Sequence, residues 1–194
     1  MDYQVQAGDV FFTKSESTLA ELIRWAEKDP GEEKSWANHV GVVVKDGVLI
    51  PGDDADNLAM VVEALQRVKH HTFWGHYKDK QVVVEVFRRA NLTPLELGRV
   101  CEYAKKQTGN KYGWWKLLFH GLDRWLFDGK KTLSRLLLID KRPICSYLVA
   151  KAYNLIRIDF GGRPQAMDPD EMHDWVRTTP TWEYLFRAEL NQED

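Results

Sequence analysis

Cysteine is nearly absent from this chain. Two occur in 194 residues, Cys101 and Cys145, too few for a disulfide framework, so each thiol is treated as free. Long apolar runs are also missing, and with them any stretch near the ~20 residues that cross a bilayer. Residues 1–4, Met-Asp-Tyr-Gln, do not begin a basic-then-apolar export signal. Together these point to a cytoplasmic, reducing setting without stable membrane insertion. An excess of one charge is lacking too: 27 Lys and Arg stand against 29 Asp and Glu, for a net charge of -2. The signs are interspersed, and the pairs Arg88-Arg89 and Lys130-Lys131 are too short to track a phosphate backbone, so no nucleic-acid partner is expected.

What is present is an ordinary globular composition, 44% hydrophobic and 29% charged, at a length that suits one domain spanning residues 1–194. Residues 7–13 suit a strand, and Ser17-Thr18 opens an amphipathic helix that Pro30-Gly31 closes. His39-Val-Gly-Val-Val-Val44 is a second strand, which Lys45-Asp46-Gly47 should turn into a hairpin with residues 48–50. Val61–Leu65 and Gln81–Phe87 follow as strands, joined by a loop-like connection that carries histidines and aromatics.

Thr93-Pro94-Leu-Glu96 combines a hydroxyl cap, a proline at the first helical position and a returning glutamate, and so starts a helix that Gly109 stops. Residues 114–139 are rich in Trp, Leu and Phe and are expected to be helical. A further helix should run from Ile144 to about Leu155, and Asp168-Pro169-Asp170-Glu171 begins a short one reaching Val176. One helix, about five strands and then mostly helices argue for an α+β domain with helices against an antiparallel sheet.

The two thiols differ in setting. Cys101 shares an inward helical stripe with Leu97, Val100 and Ala104 and behaves as a small buried hydrophobe. Cys145 stands in the first turn of its helix, where unpaired N–H groups and the dipole favour an anion. Such surroundings, with a nearby imidazolium, lower a thiol pKa from ~8.5 to roughly 3.5–7.5 and make a nucleophile.

Of the six histidines, only His39 opens a strand, with Gly41 leaving room beside the same sheet face. A third group should orient the imidazole. Glu63, between Val62 and Ala64, and Glu85, within Val-Val-Val-Glu-Val-Phe, are both carboxylates in apolar strands, and periodicity does not choose between them. His70, His71 and His76 lack a cysteine or carboxylate at a zinc spacing and read as a loop, so neither metal nor cofactor is expected.

Gly8-Asp9-Val10 in an early strand, Asn38-His39-Val-Gly-Val-Val, Val-Val-Glu63-Ala and the late Pro-Ile-Cys145-Ser146 together resemble the permuted branch of the NlpC-type papain-like superfamily. These are the YiiX/YaeF-like proteins, related to the lecithin retinol acyltransferase group, and the similarity spans roughly residues 7–176. The resemblance implies a permuted papain-like fold in which Cys145 attacks a carbonyl, His39 carries the proton and Glu63 holds the ring. Lys111-Tyr112-Gly113 resembles the group's tyrosine motif, which would let Tyr112 line the site or assist the oxyanion, although backbone N–H groups at Cys145 are the more direct donors.

The expected activity is amide hydrolysis through a thioacyl intermediate on a peptide-like or acyl-bearing small substrate, including a cell-wall-type peptide. Acyl transfer or hydrolysis on lipid is the alternative, motivated by Trp114, Trp115, Phe119, Trp125 and Phe127. A binding module that keeps the fold without the chemistry is the third.

Overall fold

A computed structural model describes residues 2–15, 36–52, 56–111 and 145–190. The expected helix after Ser17, the aromatic-rich stretch at 114–139, Tyr112 and Ile144 lie outside the described residues. Within them the chain runs β1 (Tyr3–Val5), β2 (Val10–Ser15), β3 (His39–Lys45), β4 (Gly47–Ile50), β5 (Met60–Ala64), β6 (Val68–Thr72), α1 (Phe73–Tyr77), β7 (Val82–Arg89), α2 (Pro94–Lys106), α3 (Cys145–Asn154), α4 (Pro169–Thr178) and β8 (Trp182–Leu190). The class is α+β, as expected.

Among the described residues the main sheet has six strands rather than about five, all antiparallel, in the order β6-β5-β3-β2-β7-β8. Its inner strands are apolar on both faces. Val10 and Phe12 of β2 and Val40, Val42 and Val44 of β3 join one core cluster with Leu148, Val149 and Tyr153 of α3. Phe11 and Val43, of opposite parity, join a second cluster with Phe73 and Tyr77 of α1 and Leu49 of β4. Burying a side chain such as Leu148, fully shielded here, contributes about 1.5–3 kcal/mol.

Two expectations about the middle of the chain are corrected. Residues 48–50 do not form a hairpin with β3, because both edges of β3 are occupied by β2 and β5; β4 instead pairs with β1 in a separate two-stranded sheet. Gly47 (φ 154°) permits the departure, since a Cβ there would lie 2.3 Å from the Asn57 carbonyl oxygen. The supposed loop carrying His70, His71 and His76 is edge strand β6 followed by α1, whose cap is Thr72 accepting from the Gly75 N–H at 3.3 Å.

The capping predictions fare better. Thr93 and Asp168 each form a complete capping box, with Glu96 and Glu171 respectively. Strands β1 and β8 were not expected. β8 pairs along the whole of β7 from Val82 to Arg89.

Candidate active site

His39 is the first residue of β3 and pairs with Thr13 of β2. The segment before it is held from two sides. Trp36 and Ala37 donate their backbone N–H groups to Asp170 Oδ1 at 2.7 and 3.0 Å, in the first turn of α4. Asn38 donates its side-chain amide to the Ser15 carbonyl at 3.1 Å. A strand-end position on a pinned backbone leaves the ring free to reach beyond the sheet while fixing where it starts.

Glu63 is carried by β5, whose register sets it opposite Gly41, two residues along β3 from His39. Gly41 is required there by close approach: an added Cβ would lie 2.3 Å from the Phe11 ring and 3.0 Å from the Glu63 Cβ. The carboxylate is completely buried, and Oε2 lies 2.5 Å from His39 Nε2. The same oxygen accepts from the Tyr77 hydroxyl at 2.7 Å. Oε1 lies 2.9 Å from His71 Nε2, off the axis of a well-formed hydrogen bond. A buried carboxylate without partners is strongly disfavoured; here the contacts outweigh the burial. Burial alone would raise the Glu63 pKa, yet the contacts from His39, His71 and Tyr77 and the charge on His39 hold it far below the usual carboxylate range.

Cys145 is the first residue of α3 and only 4% exposed. Ser146 beside it donates to the Met167 carbonyl at 2.7 Å, anchoring the start of the helix. The Cys145 side chain is hydrogen-bonded to the His39 ring. With Nε2 committed to Glu63, the nitrogen left for sulfur is Nδ1. Burial opposes a charge on His39, but the charge and hydrogen bond of Cys145 and then those of Glu63 push its pKa up to about 10. That combination stabilises imidazolium against thiolate, the pairing that activates cysteine nucleophiles. Tyr77 responds oppositely: burial and the Glu63 charge raise its pKa, so it remains a neutral donor.

Three of the four sequence-derived site residues, Cys145, His39 and Glu63, are therefore brought together, and Tyr112 lies outside the described residues. Glu85, the other strand carboxylate, is engaged elsewhere. Its Oε2 lies 2.8 Å from Nε2 of His173, a fully buried ring on α4 that stacks on Trp36 at 4.4 Å. Cys101 is buried as expected, and burial pushes its thiol pKa up. Sequence reasoning missed Tyr77 and His71, because assigning 66–80 to a loop removed the register that would have put them beside β5.

Among the described residues no group of three or more His, Cys, Asp or Glu side chains has an arrangement able to hold a metal ion. No described helix is long and apolar enough to cross a membrane. The chain matches no protein-family model and no curated protein sequence.

Proposed function

We propose that the protein is a cysteine-dependent hydrolase of permuted papain-like, NlpC-type fold that cleaves an amide bond in a peptide-like or acyl-bearing small substrate. The observation that carries this reading is the continuous contact from Cys145 through His39 to Glu63, with 2.5 Å between imidazole and carboxylate. Cytoplasmic action fits two free thiols, one of which must stay reduced to function. The chain order His39, Glu63, Cys145 is the permuted one.

In the reaction, the Cys145 thiolate attacks the carbonyl carbon and the oxygen takes up the electron pair. The Cys145 backbone N–H, at the start of α3, is suited to meet that oxyanion. Collapse breaks the C–N bond as His39 donates its proton to the departing amine, leaving a thioester on Cys145. Water then attacks the thioester while His39 takes a proton, the carboxylic acid leaves, and the proton is shared again between ring and sulfur. Glu63 keeps the ring oriented and its charged form favoured throughout.

Incubation of wild type with a library of N-acyl amides and short peptides, followed by intact-mass analysis, tests this. Acyl adducts that map to Cys145 and disappear in Cys145→Ala are expected. Full turnover by Cys145→Ala would end the proposal.

A further inference from the structure

Nucleophile and base come from distant parts of the chain, and one short segment, residues 167–170 leading into α4, holds the backbone beside each. Ser146, which follows Cys145 at the start of α3, donates its hydroxyl to the Met167 carbonyl at 2.7 Å. Asp170, at the other end of the same segment, accepts from the Trp36 and Ala37 N–H groups on Oδ1 at 2.7 and 3.0 Å, just ahead of His39. Ser146 is fully buried and Asp170 is 6% exposed, so water is a poor substitute for either set of bonds.

The segment itself is stiff. Asp168 Oδ1 accepts from the Glu171 N–H at 2.8 Å, the Asp168 N–H reaches back to Glu171 Oε2 at 3.3 Å, and Pro169 fixes the backbone torsion between them. Met167 is wedged as well, since a Cβ on Gly162 would lie 2.5 Å from its Sδ. Further along α4, His173 lays its ring on Trp36 at 4.4 Å and 11°, a stack that an aromatic replacement would keep.

Resting on the triad proposed above, we propose that the 167–170 segment is a bracket that sets the approach of His39 to Cys145, with Ser146 and Asp170 as positioning residues. Apolar packing between α3 and β3 holds the two elements together but is not directional, so it does not fix the last fraction of an ångström. Catalytic groups must be held to within about 0.5 Å of productive geometry. Directional hydrogen bonds made from both element starts to one stiff segment supply that tolerance. Ser146 acts through the start of the helix that carries the sulfur, and Asp170 through the backbone that leads into the imidazole.

The test is the rate of iodoacetamide alkylation at Cys145, resolved from Cys101 by peptide mass, from pH 5 to 9 in the full chain. Ser146→Ala deletes one oxygen, Asp170→Ala deletes the acceptor for both backbone N–H groups, and Asp170→Asn keeps an acceptor oxygen. Both alanine variants should slow Cys145 about threefold to tenfold at pH 6.5 and converge on wild type near pH 9, a profile displaced upward by up to one pKa unit. Asp170→Asn should recover most of the wild-type rate. Thr93→Ala, which opens the capping box of α2, is the control for lost stability: its melting temperature should fall and its Cys145 profile stay in place. An unmoved profile in Ser146→Ala, a matching shift in Thr93→Ala, or an Asp170→Asn as slow as Asp170→Ala would overturn the bracket and leave the triad standing. Should Asp170→Ala not fold, Ser146→Ala alone decides. A wild-type Cys145 no faster than Cys101 and indifferent to His39→Gln would overturn both.

Discussion

Gly41 and Glu63 face each other across β3 and β5 so closely that a Cβ on Gly41 would stand 3.0 Å from that of Glu63 and 2.3 Å from the Phe11 ring. The candidate site therefore depends on the absence of a side chain as much as on those present. Gly41→Ala should destabilise the fold by about 1–3 kcal/mol through overpacking. It should also slow Cys145 alkylation by displacing Glu63. Chemical denaturation with an unchanged midpoint would show that the strands yield without cost.

Glu63→Gln removes a buried charge from between His39, His71 and Tyr77 and should cost about 3–5 kcal/mol near pH 6. The pH dependence has a fixed sign. Glu63's pKa is depressed from 4.5, so its contribution is present above that value and lost as pH falls toward the folded-state pKa. His39's is raised from 6.5 to about 10, so its contribution is full below 6.5 and lost as pH rises through about 10. Both are full between 4.5 and 6.5. Urea melts of wild type and Glu63→Gln should differ most in that window and converge in acid; a difference that grows below pH 4 would contradict the assignment.

Cys145 should react with iodoacetamide at least about tenfold faster than Cys101 at pH 6.5, because burial raises the Cys101 pKa while a charged His39 stands against Cys145. His39→Gln should remove most of that advantage. Equal and slow labelling of both thiols would favour an inert binding module.

Tyr77→Phe takes one hydrogen bond from a buried carboxylate and should cost about 1–3 kcal/mol, with the Cys145 profile retained because His39 and His71 still hold Glu63. Thermal unfolding alongside alkylation separates these effects.

His173→Phe and Glu85→Gln concern a buried pair that braces α4 and Trp36 rather than the sulfur. Each should lower the melting temperature with no direct change in the pH at which Cys145 reacts. A shift of that profile matching the one in Glu63→Gln would mean that the two histidine–carboxylate pairs are coupled.

Much was legible along the chain because it is governed by neighbours. The boxes at Thr93 and Asp168, the buried stripe of Cys101 and the helical setting of Cys145 rest on contacts a few residues long. The strands at 39–44, 61–65 and 81–87 were legible from their β-branched runs. Strand β8 was not, since its alternation is blurred and its partner β7 lies about a hundred residues earlier.

The sequence by itself determined which residues carry chemistry, a thiol at a helix start, a histidine at a strand start and two carboxylates in apolar strands. Periodicity does not choose between those carboxylates, the family resemblance favours Glu63, and the tertiary structure is what puts Glu63 against His39 and Glu85 against His173. Glu63 and Glu85 have equivalent local patterns, and what separates them is that β5 lies beside β3 while β7 lies between β2 and β8. Strand order is set by long-range burial and hydrogen bonding, which a local period does not encode, and the same order brought His71 and Tyr77 to Glu63.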